Sequence, residues 1–427
     1  MRVANRTPTG VRGRAARLLP IDTDTPTSWA EHEERYGRLP ELAGHSRSLI
    51  AAIEHGGLRG RGGAGFPTAV KARAVSLRRS PIVVANGTEG EPASAKDKVL
   101  LRTNPHLVID GVVAAMAAVG ARQAIVAVSQ GAHASRAALD VALVERPSAA
   151  RAIRVAAVPE RFVAGEESAL VHWLNGGDAK PTLTPPRPFE QGVRGRPTLV
   201  QNVETLANIG LIARYGADWF REAGTSEEPG SVLVTIGGAV RRPGVIEVEL
   251  GTPLRQLIEL AGGLTAPPRA VLVGGYFGTW IAAAGTLDTP LSERALRPLG
   301  ASLGARAIVV LPSSACGVLE SARVARYLAG ESAGQCGPCV FGLPAVADAM
   351  EAIASGSAGA AAALERLPRL KAQIAHRGAC AHPDGALRFV DSALAVFSEE
   401  IAHHVAGHCT GSQTEPVLPT ATHSEPA

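Results

Sequence analysis

Apolar positions recur at helical spacing near residues 41–56, and a glycine-dense turn then leads to a continuous apolar run at 81–85 that ends in Asn86-Gly87. A short apolar run bounded by turn residues predicts a buried strand. Alternation follows: 107–119 reads as a helix, 124–129 as a strand, 133–144 as a helix and 153–158 as a strand. That rhythm predicts βαβ units around a parallel sheet, so the first domain is expected to be α/β. Residues 180–197 are dense in Pro and Gly and are expected to form a long loop, either functional or disordered.

The pattern changes near Ser231. Residues 232–237, 245–248 and 271–273 read as short strands, and 253–261 as a helix stopped by Gly262-Gly263. From Gly317 onward the spacing is helical at 318–328, 343–353, 360–374 and 386–406, with the cysteines at helix ends. The expected organisation is a disordered arm at 1–40, an α/β domain at 41–225, a small β-rich module at 230–312, a helical region at 313–408 and a disordered tail at 409–427.

Composition narrows the function classes. Hydrophobic residues make up 46% and charged residues 19%, ordinary values for a soluble globular chain. No apolar run approaches the length that spans a bilayer, so no direct membrane insertion is expected. The formal net charge of +4 is modest and no basic stripe carries interleaved aromatics, which argues against nucleic acid as a partner. Five cysteines are too few for a secreted disulfide framework in 427 residues, and they cluster late in the chain. This usage points to metal or redox chemistry in a reducing compartment, with the cytoplasm expected.

Three segments carry candidate chemistry. Gly60-Arg61-Gly62-Gly63-Ala64-Gly65-Phe66-Pro67-Thr68 stands directly before an apparent helix. Glycines there let backbone N–H groups approach a phosphate where the helix dipole favours negative charge, although a flexible linker would have the same composition. Lys71, on the next turn, could pair with that phosphate or reach solvent. Asn86-Gly87-Thr88-Glu89-Gly90-Glu91-Pro92 follows a strand, where open α/β sheets bind ligands, but turn chemistry also explains Asn, Gly and Pro. Gly165-Glu166-Glu167-Ser168 offers two carboxylates to a ribose or nicotinamide, or simply begins a solvated helix.

Taken in order, these motifs, the Asn202-Val203-Glu204-Thr205-Leu206 loop, the 244–275 stretch and the 331–339 segment with Cys380 resemble one family over residues 57–397. It comprises the FMN-binding, NADH-oxidising flavoprotein subunit of respiratory complex I and the related subunits of NAD-linked hydrogenases and formate dehydrogenases. The resemblance implies an α/β FMN-binding domain, a β-grasp soluble-ligand-binding module and a helical iron–sulfur domain. It implies that Gly60, Gly62, Gly63, Lys71, Asn86, Glu89, Asn202 and Thr205 line the FMN, and that Phe66, Glu166 and Glu167 face NAD(H). Cys336, Cys339 and Cys380 would hold a 4Fe-4S cluster, with a ferredoxin or another iron–sulfur protein as partner. Hydride transfer would be the flavin's own chemistry, with no catalytic side chain.

The match is incomplete. The family motif reads E-S-C-G-x-C-x-P-C, whereas Glu331-Ser332-Ala333-Gly334-Gln335-Cys336-Gly337-Pro338-Cys339 has Ala333 in place of the first ligand. Three outcomes are open: Cys316 or Cys409 substitutes, a 3Fe-4S cluster forms, or the site is empty. Taken alone, Cys316 reads as a small buried hydrophobe and Cys409 as an incidental thiol. The Cys336–Cys339 pair also spells a thioredoxin-type dithiol, but both flanks read as helical. On the dinucleotide side Ala72, Ala74, Thr184 and Arg187 replace residues usual in the family, so adenine stacking is expected to be weaker. Two other readings follow: a ferredoxin-linked flavoprotein that no longer uses NADH, and a non-catalytic ligand-binding scaffold.

Overall fold

The two central strands of the first sheet are buried on both faces, which is why they read as apolar runs. In β1 (Ile82–Gly87), Val83 and Ala85 enter one core and Ile82 and Val84 another. β2 (Ala124–Ser129) divides the same way, with Val126 and Val128 on one side and Ile125 and Ala127 on the other. With β3 (Ile153–Val158) and β4 (Thr198–Asn202) they form a sheet of order β3-β2-β1-β4, parallel throughout. The structure is a computed structural model and describes residues 16–20, 25–413 and 415–420.

Helix Pro105–Val119 crosses Val203–Arg221 so closely that a Cβ added at Gly111 would stand 1.9 Å from the Leu206 carbonyl oxygen. Only glycine permits that approach. The segment read as the Asn202–Leu206 loop is therefore the end of β4 and the start of a 19-residue helix. Asn202 caps it, its side-chain oxygen accepting from the Glu204 N–H at 3.0 Å.

The second sheet runs β6-β5-β9-β7-β8, from β5 (Ser231–Gly238), β6 (Gly244–Glu249), β7 (Pro268–Val273), β8 (Thr279–Ala282) and β9 (Ala307–Pro312). β9 is central, parallel to β5 and antiparallel to β7, and it falls within the unit expected at 230–312 without having been foreseen as a strand. Its Ile308 and Val310 face the sheet's own core, while Ala307, Val309 and Leu311 pack with the C-terminal helices. The β-rich module and the helical region thus share one hydrophobic core instead of standing as separate units. The helices are Gly317–Gly330, Leu343–Ala354, Ala360–Ile374, His382–Val396 and Ser398–Val405, so the single span expected at 386–406 is two helices meeting at Phe397.

Both chain ends depart from the expectation of disorder where they are described. Leu18 is fully buried, and the Glu247 carboxylate accepts the N–H groups of Arg17, Leu18 and Leu19 at 3.1, 2.8 and 3.2 Å. Helix Trp29–Tyr36 brings His32 to Asp110 at 2.6 Å, where Arg214 and Arg146 also converge at 2.5 and 2.7 Å. Burial would raise the Asp110 carboxyl, but these partners hold it well below the usual carboxylate range. At the other end Glu320 accepts the Val417 and Leu418 N–H groups at 3.1 and 2.9 Å, and Leu418 is buried. Residues 1–15, 21–24, 414 and 421–427, which the expected arm and tail include, lie outside the described residues.

Candidate functional site

Chain order and strand order part company between β1 and β4: the chain winds outward from β1 to β2 and β3, and β4 then joins on the opposite side of β1. A crevice opens at the carboxyl ends of strands at such a switch point. Asn86 and Asn202 sit side by side there, paired in the β1–β4 ladder. A cavity of about 400 Å³ extends from this point, and its walls come from all three parts of the chain.

Backbone forms much of the wall. Gly62, Gly63, Gly90, Gly165, Gly274 and Gly304 all line the cavity. A Cβ on Gly90 would meet the Arg161 carbonyl oxygen at 2.7 Å, and one on Gly304 the Gly274 carbonyl oxygen at 2.5 Å. A slot lined by peptide planes admits a flat ring and lets N–H groups approach phosphate oxygens. Helix Thr68–Ser76, which follows the glycine run, has no side chain capping its first turn. These features fit FMN.

The polar residues form one buried network. Asn86 donates to the Gly165 carbonyl at 2.8 Å, joining the β1 turn to the Glu166 turn. Glu89 accepts from Ser94 at 2.5 Å and from the N–H groups of Asp97 and Lys98 at 3.3 and 3.2 Å, at the start of helix Lys96–Thr103. Asn202 donates to Asp97 at 2.7 Å, and Lys96 binds Asp97 and Glu204 at 2.7 and 3.0 Å. Burial pushes the Asp97 carboxyl up to about 7 against the pull of Lys96, while Glu204 ends below its ordinary value because Lys96, Arg306 and Arg61 outweigh burial.

The expected flavin and dinucleotide residues do not all lie on the cavity. Gly62, Gly63, Asn86, Glu89, Asn202 and Glu166 line it. Thr205 is buried beneath the glycine loop, its hydroxyl accepting the Arg61 N–H at 2.8 Å, and Gly60 gives its carbonyl to Arg306 at 3.3 Å. Lys71 is paired with Glu167 at 2.6 Å, and Phe66 is exposed at the rim of the loop. Glu166 caps helix Glu167–Leu174, accepting the N–H groups of Ser168 and Ala169 at 2.9 and 3.0 Å. The 180–197 segment is described throughout: Pro181 lines the cavity, and the Thr182 N–H donates to the Ser168 hydroxyl at 3.0 Å.

Several site residues escaped sequence reading. Arg306 reaches from the second sheet to the Arg61 carbonyl at 2.5 Å and so fixes the glycine loop from below. Phe162, Phe277 and His382 form an aromatic wall, with ring centres 4.7 Å apart for the two phenylalanines and 5.3 Å for Phe277 and His382. Positive φ at Arg306 and isolated aromatics leave no periodic trace in a sequence.

The three cysteines converge at one edge. Cys336 and Cys339 hydrogen-bond to each other, and Cys380, which acts electrostatically on Cys339 and is acted on by Cys336, also lines the cavity. Burial would raise Cys336, but the Ala379 and Cys339 N–H groups and the Cys339 thiol hold it below the ordinary thiol value. Burial beside Cys336 pushes Cys339 up to about 12. Ala333, where a fourth donor is needed, is buried and carries no ligand atom. The donor set therefore does not match a four-cysteine cubane. Neither Cys316 nor Cys409 fills the gap, because they lie beside each other and His404.

Comparison with known proteins agrees with this layout. Residues 53–211 match the family described as the Nuo51 FMN-binding domain, 233–275 the SLBB domain, and 320–404 the NADH-ubiquinone oxidoreductase-F iron-sulfur binding region. The F-type subunit of NADH-quinone oxidoreductase from Streptomyces coelicolor is 32% identical over 95% of this chain and 94% of its own length. The Mycobacterium tuberculosis protein of the same name is 32% identical over 92% of this chain and 95% of its own length. Among solved structures, an air-oxidized NAD+-reducing NiFe hydrogenase superimposes with a TM-score of 0.79 at 32% identity, covering 88% of this chain. This chain spans 65% of that hydrogenase chain, just under two thirds.

Fold and site together define an electron-transfer flavoprotein, an α/β FMN-binding domain joined to an SLBB sheet and an iron–sulfur-binding helical region. More particularly, the chain belongs to the family of F-type subunits of NADH-quinone oxidoreductase, an NADH dehydrogenase-type oxidoreductase component. No helix among the described residues is long and apolar enough to cross a membrane.

Proposed function

We propose that this chain takes electrons from a reduced nicotinamide dinucleotide at the cavity and passes them to an iron–sulfur partner protein in the cytoplasm. One observation carries this reading: Cys380 belongs both to the cavity wall and to the three-cysteine group, so the place where electrons would arrive adjoins the place where they would leave. FMN, when bound, supplies hydride acceptance and one-electron release.

The chain's own residues do the positioning. The Gly62-Gly63 loop, held by Arg306 and Thr205, offers N–H groups for a phosphate, and Asn86, Glu89 and Asn202 supply polar groups at the strand ends. Glu166 lines the cavity together with Cys380, and its charge helps to raise the Cys380 thiol. Phe162 and Phe277 exclude water along one side, supporting dinucleotide use although Ala72 and Ala74 offer no ring. With three thiols and Ala333, the exit side is proposed to hold an iron centre of fewer than four cysteine ligands.

Anaerobic titration of the FMN-loaded chain with NADH tests the reading. Stoichiometric bleaching of the flavin absorbance is expected. A bound flavin that NADH leaves oxidised, but reduced ferredoxin bleaches, would replace this reading with the ferredoxin-linked one. A chain that binds no FMN would remove both.

A further inference from the structure

Outside the cavity, one cluster of side chains has the makings of a second site. Cys316, His404 and Cys409 offer Sγ, imidazole nitrogen and Sγ within 4.8 Å of one another. The Cys316 sulfur lies 3.1 Å from His404 Nε2. Cys316 and His404 are 3% and 1% exposed, whereas Cys409 is exposed. We propose that these three residues bind a single thiolate-preferring divalent cation of the zinc class, independently of the Cys336, Cys339 and Cys380 group.

Three parts of the fold are brought together to make it. Cys316 is the N-cap of helix Gly317–Gly330, His404 lies in the last turn of Ser398–Val405, and Cys409 follows that helix. The chain then turns back over Cys316 so tightly that a Cβ on Gly411 would stand 2.7 Å from the Cys316 Cβ. The Ser412 and Gln413 N–H groups, donating to the Ser314 carbonyl at 2.9 and 3.0 Å, hold that return.

The donor chemistry selects the ion. Two thiolates and an imidazole suit zinc and disfavour calcium or magnesium, which take oxygen ligands. Two thiolates also neutralise a dication, so the buried site would carry no net charge. The neighbouring carboxylate, Glu400, is already engaged by Arg269 and by the Gly317 N–H at 3.0 Å. The fourth tetrahedral position is left to water on the side of exposed Cys409. A Cys316–Cys409 disulfide is the rival arrangement, but it would leave the buried His404 nitrogen facing sulfur that no longer donates or binds metal, a costly orphan.

The site would pin the chain after its last helix onto the start of helix Gly317–Gly330, beside the contacts of Glu320 with Val417 and Leu418. Cobalt(II) serves as the probe, since its thiolate complexes are coloured. The full-length chain with Cys336, Cys339 and Cys380 all changed to Ser, kept reduced, is expected to bind one equivalent with thiolate-to-metal charge-transfer absorption. Adding Cys409→Ser should weaken binding more than about 100-fold, beyond the 10–100-fold that loss of a supporting residue alone produces. Cys316→Ser keeps an N-cap oxygen and should do the same. In the otherwise native chain, Cys409→Ser should lower bound zinc by one equivalent by elemental analysis, a readout that does not require the triple variant to fold. Unchanged zinc in that variant, absence of thiolate bands in the folded triple variant, or a Cys316–Cys409 disulfide in protein purified under reductant would overturn the proposal.

Discussion

Glu91 should make the protein less stable as pH rises, and replacing it with Gln should remove that loss. Its two carboxylate oxygens accept the Tyr276 and Ala93 N–H groups at 2.7 and 3.1 Å. A Cβ on Gly275 would stand 2.6 Å from Glu91 Oε2, so the backbone there presses close against the carboxylate. Partial burial at the cavity wall raises the carboxyl from 4.5 to about 7; the two amides oppose the rise and nearby Glu89 adds to it. Because the folded pKa lies above the unfolded one, the folded state holds a proton that the unfolded state has released between these values. The contribution of Glu91 to stability is then fully present below pH 4.5 and is lost as pH rises through 7. At about 1.4 kcal/mol for each tenfold change in proton affinity, the interval corresponds to about 3 kcal/mol. Glu91→Gln cannot ionise, and its amide NH2 meets one backbone N–H unfavourably at every pH, a constant cost that cancels in a comparison across pH. Urea unfolding of both proteins at pH 5 and pH 8, which span most of that interval, should show the variant gaining about 2.5 kcal/mol on the native chain between the two. An equal difference at both pH values, or a variant worse at pH 8, would show that the two amides hold Glu91 ionised and would refute the reasoning.

Other expectations follow from single contacts. Lys96→Met leaves Asp97 and Glu204 buried without their cation and should lower stability by about 3–5 kcal/mol in denaturant unfolding, with Glu204→Gln added to it recovering part of the loss. Gly111→Ala places a methyl 1.9 Å from the Leu206 carbonyl and should cost at least the ~3 kcal/mol of severe overpacking, read as a lowered Tm or loss of soluble protein. Arg306→Met removes the charged donor to the Arg61 carbonyl, worth about 1.5–3 kcal/mol, and should weaken FMN binding by roughly tenfold or more in a fluorescence titration. Ala333→Cys completes the thiolate set, so iron and sulfide retained after anaerobic reconstitution should rise, and unchanged content would mean that the native chain already has a fourth donor.

What could be read from the sequence followed how each element is buried. β2, β3 and helix His133–Val144 were foreseen residue for residue, because a strand buried on both faces, a mostly apolar edge strand and a helix with one wet face leave plain patterns. Helix Lys96–Thr103 was missed for the opposite reason: Lys96, Asp97 and Lys98 look solvated in sequence, yet they are buried against Glu89, Glu204 and their neighbours. The first two thirds of Val203–Arg221 are buried on nearly every side, which erased the amphipathic period and left its start looking like a loop. Three-dimensional convergence was not legible either. Arg306 lies 245 residues from Arg61, and His404 lies 88 residues from Cys316. No local window joins residues so far apart, whereas the cysteine spacing and the glycine run are short motifs that survive translation into sequence.

The cavity's walls span residues from Gly62 to Arg388, and this has a bearing on biosynthesis. A chain leaves the ribosome N-terminus first at about 5–20 residues per second. The glycine loop and the β1–β4 crevice can form while synthesis continues, but the aromatic and cysteine side of the cavity does not exist until residues 380–388 have emerged and packed. An early-arriving cofactor would meet a half-open, solvent-filled groove, so loading belongs to the final stage of maturation. A ribosome stalled before that point would release a fragment with a folded sheet and no competent pocket.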